Sequence, residues 1–246
     1  MATLKLLSSM APKACLAAAI ELYGKSHTDR VLAEAAGGVD VTQRIAAGEA
    51  VDLVVLSDDA IEKLQAGGHV ARDGRMPLMS SGIAVAVKTG AASPTISNEA
   101  AVKAAVLGSA SISYSTGPSG RYLESLFTRW GILESIRERV VVPPPGTPVA
   151  ELVASGEADL GFQQLSEMLN APGIRVLGPL PDDIQQETIF SGAVTSVSTM
   201  KESARDLLRF LASPALGTIR LQFGMSAVDR REALSNPYEI ATKTIT

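Results

Sequence analysis

Short apolar runs alternate with helix-length segments along the first third of this chain, and that alternation constrains its fold more than any other feature. Residues 4–8, 30–34 and 51–56 read as strands. Residues 13–23, a stretch from Asp40 through Ala47, and residues 60–65 read as helices. Ala17, Ala18, Ile20 and Leu22 fall near the buried side of the first helix. Ser57-Asp58 caps the third helix, and Gly67-Gly68 ends it. Strands joined by helices of this length predict βαβ units and a parallel sheet.

At Ser80-Ser81-Gly82 the pattern resets. A strand over 83–88, a loop over 89–94, a helix over 98–107 and a strand over 111–114 follow. Next comes a turn of small residues (Ser115, Thr116, Gly117, Pro118, Ser119, Gly120) and an amphipathic helix over 121–130. A strand at 140–142 stops at Pro143-Pro144-Pro145-Gly146, and Thr147 starts a helix over 148–154 with proline in the first position. Strands at 159–162 and 175–177 flank a short helix at 165–169. An apolar, hydroxyl-rich run at 189–197 precedes helices at 201–211 and 214–223 and a polar tail from Ala227.

Parallel sheets hold ligands in the loops at strand C-termini. Four such loops here end in small or hydroxyl residues before a helix: Ser8-Ser9-Met10, Gly37-Gly38, Ser57-Asp58 and residues 115–120, with 145–147 as a fifth. Backbone N–H groups at helix starts suit an anion. Ser8-Ser9 and the turn at 116–120 carry more hydroxyls than one helix cap uses, whereas Ser57 and Asp58 read as caps and Gly37-Gly38 reads equally as a tight turn.

A net charge of −4 and a pI near 5.3, with no basic stripe, argue against a nucleic-acid partner. The single cysteine, Cys15, excludes an internal disulfide and reads as a small apolar core residue. His27 and His69 form no metal-ligand spacing, so neither a metal nor another cofactor is expected. No apolar run reaches the roughly 20 residues that span a bilayer, so the chain is not expected to be membrane-embedded. Met1-Ala2-Thr3 leads straight into the first apolar run, which predicts a periplasmic location if an export signal has been removed and a cytoplasmic one otherwise.

The order of these motifs resembles the class II periplasmic solute-binding proteins of the molybdate-binding type, from Leu4 to about Gly224. The opening strand into Ser8-Ser9-Met10-Ala11-Pro12-Lys13 resembles that family's serine loop. Arg44-Ile45, Gly48 and Asp52 are similar to its Q-I-x-x-G-x-x-x-D stretch, and Pro118, Gly120 and Tyr122 to its Pro-x-Gly-x-Tyr segment. The run from Gly156 to Gly161 is similar to its G-E-A-D-x-G segment, and Phe210, Leu211, Ser213 and Phe223-Gly224 to its closing helices. The resemblance implies an α/β fold of two lobes, each a mostly parallel sheet flanked by helices. Two crossing strands near 81–87 and 189–197 would join them. Lobe I would hold 1–81 and 197–246, lobe II 82–196, with a small anion in the cleft between them and hinge closure excluding water. It also implies a monomer that hands its ligand to an ABC permease.

Three positions depart from the family pattern. Gly37-Gly38 stands where molybdate binders carry a serine, the first-loop serine falls around Met10 or Ala11, and Gln164 replaces a tyrosine. A tetrahedral oxyanion needs a fully satisfied shell, because each buried unpaired group costs roughly 1–3 kcal/mol. Glycine for serine enlarges the site and Gln164 adds a donor and an acceptor, which suits a carboxylated organic anion better than molybdate.

On the binding reading, Ser8, Ser9, Met10, Gly37, Gly38, Ser80, Ser81, Thr116, Ser119, Gly120, Thr147 and Gln164 would surround the ligand. Arg121 would be its counter-charge, although a side chain in a first helical turn can also point outward. Aconitate isomerases resemble the same family, so the alternative is an isomerase that moves a proton between allylic carbons of an unsaturated polycarboxylate. Candidate bases are Tyr114, Tyr122, Asp40, Glu167 and Lys13, each with a plainer role as packing residue, cap or solvated charge. A third reading, the effector domain of a LysR-type regulator, needs a helix-turn-helix for which the residues before Leu4 leave no room.

Overall fold

The computed structural model describes residues 2–228 apart from 73 and 145, so 229–246 of the expected lobe I and Pro145 of the fifth loop lie outside the described residues. β1 (Thr3–Ser9), α1 (Lys13–Gly24), β2 (Arg30–Ala36), α2 (Gly38–Ala46), β3 (Leu53–Ser57) and α3 (Asp58–Ala66) realise the alternation read in the sequence, and β4 (Met76–Ser81) follows. Through Gly82 the chain enters β5 (Ile83–Lys88), α4 (Glu99–Gly108), β6 (Ile112–Tyr114), α5 (Pro118–Arg129) and α6 (Leu133–Ile136). Then come α7 (Val149–Ser155), β7 (Leu160–Gln164), α8 (Leu165–Met168) and β8 (Ile174–Pro179). The chain returns in β9 (Thr188–Val194), α9 (Lys201–Leu211) and α10 (Gly217–Gln222).

The strands form two sheets, β2-β1-β3-β9-β4 and β6-β7-β5-β8, and each is mixed. β2-β1-β3 and β6-β7 are parallel as expected, but β9 runs antiparallel to β3 and β4, and β5 antiparallel to β7 and β8. The reason is topological. β1, β2, β3, β6 and β7 end at the junction of the sheets, whereas β5 and β9 begin there and must run away from it. Pairing of Leu53–Ser57 with residues 190–194 puts β9 in the first sheet. β4, which the sequence reading left out, pairs with β9 across an irregularity between Pro77 and Met79. The strand expected at 140–142 is reduced to a single bridge from Val140 to Ile112.

Each sheet is covered on both faces, and alternation along β1 assigns its side chains. Leu4 and Leu6 pack with Cys15, Leu16, Ala19, Leu207, Leu208 and Leu211 of α1 and α9. Leu7 faces the other way, onto Val41, Ile45, Ile61 and Leu64 of α2 and α3. Cys15, Leu16, Ala19 and Tyr23 are the buried stripe of α1, which leaves Leu22 exposed and corrects the face read from Ala17, Ala18, Ile20 and Leu22. Tyr23 settles that rotation by stacking on His27 at 3.8 Å and meeting Phe210 edge-on. In the second sheet Val85, Val87 and Phe162 pack under α4 and α5, while Ala84 and Ala86 face α7. Complete burial of each such Leu, Val or Phe contributes about 1.5–3 kcal/mol. Gly192 has no Cβ because one would lie 2.6 Å from Leu208 Cδ1, so glycine lets α9 rest directly on β9.

Candidate functional site

Register alone defines where the two sheets meet. Ser57 pairs with Phe190 and Ser81 with Thr188, so β3 and β4 end where β9 begins; β1 and β2, parallel to β3, end on the same side. Gln164 pairs with Ile83, so β7 and its parallel neighbour β6 end at the start of β5. The C-terminal ends of strands in both sheets therefore converge on one junction, and α1, α2, α3, α5 and α8 start from it.

The first amides of a helix have no partner within it. At α4, whose first residue Glu99 meets Arg129 and Trp130 at the end of α5, the Asn98 carboxamide oxygen accepts the Ala101 N–H at 2.9 Å. The junction helices are different. Pro12, Gly37, Ser57 and Gly117 precede α1, α2, α3 and α5, and none of them supplies a side-chain cap. Ser57 thus does not cap as expected, and Asp58 and Asp59 form the first turn of α3.

In the first lobe Ser8 and Ser9 are buried at 2 % and 9 % exposure, and the Ser9 hydroxyl has no hydrogen-bond partner. A Cβ on Gly38 would lie 3.8 Å from that of Ser9, so the β1 loop and the open start of α2 are adjacent. Gly37 and Gly38 are exposed, and the half-buried Met10 uses its carbonyl to accept the Lys13 N–H at 3.1 Å.

In the second lobe the turn before α5 is folded upon itself. Ser115 and Ser119 hydroxyls lie 2.9 Å apart, and the Gly117 N–H donates to Ser115 Oγ at 3.3 Å. Ser119 and Gly120 are buried, while Thr116 is exposed. A side chain on Gly120 would overlap the Ser115 carbonyl oxygen, so glycine is required by close approach of the turn to its own helix. Arg121 does not point away from the first lobe: its Nη2 lies 3.7 Å from Asp59 Oδ2 of α3.

Between the lobes, Ser81 Oγ donates to the Gly224 carbonyl at 2.9 Å and accepts the Ser166 N–H at 3.3 Å, so this hydroxyl ties the closing segment to α8. Ser80 is buried, and its backbone exchanges both hydrogen bonds with Ser226. Gln164 Nε2 donates to Thr188 Oγ1 at 2.7 Å, which leaves Gln164 Oε1 buried without a partner. Gln163, on the opposite face of β7, was not singled out in the sequence. Its Oε1 accepts the Val149 N–H at 3.0 Å, satisfying the start of α7, and its Nε2 donates to Glu167 Oε1 at 2.8 Å. Strand alternation is the signal that separates the roles of the adjacent glutamines. Thr147, half-buried, donates its N–H to the Pro144 carbonyl at 3.0 Å.

The candidate bases differ sharply in setting. Tyr122 donates its hydroxyl to the Ile184 carbonyl at 2.9 Å, and burial raises its pKa. Tyr114, packed edge-on against Phe127, lies 3.5 Å from Glu124; burial first, then that carboxylate, raises its pKa. Asp40 is exposed on α2 and 3.7 Å from Arg44, which Glu34 and Glu49 also bind. Lys13 is exposed on α1. Glu167 stands apart: desolvation raises its carboxyl to about 7, against a smaller lowering by the Gln163 amide. Burial pushes the Cys15 thiol up to about 11, in keeping with a core residue. Among the described residues no group of three His, Cys, Asp or Glu side chains could hold a metal ion.

Two α/β lobes joined at a double crossover, with uncapped helix starts facing the junction, define a periplasmic-binding-protein fold. The same fold occurs in the periplasmic molybdate-binding protein of Azotobacter vinelandii, with a TM-score of 0.76 and 20% identity over 92% of this chain and 100% of that one. It occurs also in the sulfate-binding protein SubI of Mycobacterium tuberculosis, at 0.76 and 17% over 95% and 89%. Residues 4–226 match the bacterial extracellular solute-binding protein family, and the chain belongs to it. A curated relative, an aconitate isomerase from a Pseudomonas species, is 44% identical over 174 residues, which is 70% of this chain and 66% of that protein. The chain thus spans just under two thirds of that relative's length. No helix among the described residues is long and apolar enough to cross a membrane.

Proposed function

We propose that the cleft between the lobes binds an unsaturated tricarboxylate of the aconitate class and moves its double bond by a 1,3-proton shift. The observation that carries this reading is the 44% identity to an aconitate isomerase. The geometry supports it. The candidate donors fall into separate groups: Ser9 with the start of α2, Ser119 and Gly120 with Arg121 at the start of α5, and the Thr188 hydroxyl, which accepts from Gln164 and keeps its own proton to donate. Separate groups suit a ligand with several carboxylates better than one compact oxyanion.

In this mechanism a base removes a methylene proton α to one carboxylate. The electron pair of the broken C–H bond moves into the conjugated system, and helix-end N–H groups stabilise the enediolate-like charge. The proton returns at the far allylic carbon, so atoms and charge balance without a cofactor. Among the candidate bases Glu167 alone has a carboxyl raised to about 7, the range general-base catalysis favours, but its partner Gln163 lies on the face of β7 opposite Gln164, so geometry does not single it out as the base.

A second reading keeps the ligand class and drops the chemistry. Membership of the solute-binding family supports a periplasmic binder that delivers its carboxylate to an ABC permease. A thermal-shift panel of molybdate, sulfate, citrate and cis- and trans-aconitate tests the shared part, because a bound ligand raises Tm by mass action. A selective shift with the aconitates is expected. A shift with molybdate alone would overturn both readings.

A further inference from the structure

Among the described residues, one ion pair joins the two lobes, and neither the binding reading nor the chemistry accounts for that pairing. Arg121, in the first turn of α5, lies 3.7 Å from Asp59, in the first turn of α3, and both side chains are about half exposed. The contact is longer than a charge-assisted hydrogen bond, so it is a loose pairing that a better acceptor can replace. Asp59 has somewhere to go. Lys63, one turn along α3, lies 3.9 Å from the same oxygen, and the positive end of α3 favours a carboxylate there. The adjacent Asp58 is already engaged, accepting from Ser191 Oγ and lying 3.6 Å from Arg75. Arg121 has no other carboxylate partner among the described residues.

We propose that Asp59 is a positioning residue: its carboxylate holds Arg121 across the mouth of the cleft, and a ligand carboxylate displaces it, with Asp59 falling back on Lys63. The site thus carries an internal competitor that keeps Arg121 aimed inward and sets a threshold against weakly bound monovalent anions. This rests on the proposed binding of a carboxylate between the lobes.

The test compares wild type with Asp59→Asn, Arg121→Gln and the double variant. Calorimetric titration with trans-aconitate should show Asp59→Asn binding about two- to five-fold more tightly, the range an exposed ion pair supports. Arg121→Gln should bind more weakly, and the double variant should match it, because Asp59 acts only through Arg121. A purely structural Asp59 would leave the ratio of double variant to Arg121→Gln no different from that of Asp59→Asn to wild type. The second readout needs no ligand: spin labels on α3 and α5 report the distance between lobes. Asp59→Asn should broaden it toward longer values, and wild type in 1 M salt should do the same. Unchanged affinity together with unchanged distances overturns the proposal. If wild type binds no aconitate, the ligand reading fails and the distances alone decide whether Asp59 holds Arg121.

Discussion

A buried hydroxyl without a partner, such as that of Ser9, is a cost to the folded chain unless something outside the chain satisfies it. Ser9→Ala should therefore leave stability unchanged or raise it by up to about 1 kcal/mol in urea denaturation, while weakening aconitate binding about ten-fold. Loss of stability with unaltered binding would show that the hydroxyl serves the fold. Glu167 is the converse case, a charge held where burial disfavours it. Its carboxyl rises from 4.5 to about 7 on folding, so between those values the folded chain holds more protons than the unfolded one. Stability from this group is full below pH 4.5, falls as pH rises through 7, and then levels off. Glu167→Gln should flatten that slope and add about 1–3 kcal/mol at pH 8, as urea midpoints at pH 5 and pH 8 would reveal. At this scale the sequence was only partly legible. Serines and glycines at helix starts could be read from spacing, but the tie from Ser81 to Gly224 could not, because those residues are 143 positions apart.

Elements were more legible than their partners. α9 and β5 lie where their apolar periodicity put them, and Asn98 caps α4 as its residue type suggests. β4 escaped notice because Pro77 interrupts it and its ladder shifts there. The turn into α5 reads in the sequence as a hydroxyl-rich loop suited to an anion, and the structure adds a local demand on Gly120, since a Cβ there would strike the Ser115 carbonyl. Gly120→Ala should accordingly cost about 1–3 kcal/mol and lower Tm, with the loss persisting when no ligand is added. A neutral effect on Tm would mean that the turn can shift and that glycine serves only ligand approach.

Across the whole molecule, antiparallel pairing of β9 with β3 and β4 brings distant segments together, and no local pattern announces it. Family resemblance supplied the two lobes, while the residue-level reading supplied the strand ends that meet between them. On the reading proposed above, that meeting is what would let groups from both lobes reach one polycarboxylate. The most direct measurement follows cis-aconitate by proton NMR in deuterated buffer with the protein present. The account predicts growth of trans-aconitate signals and loss of methylene proton intensity as solvent deuterium enters the allylic position. Spectra that stay constant at high protein concentration, with neither interconversion nor exchange, would contradict it.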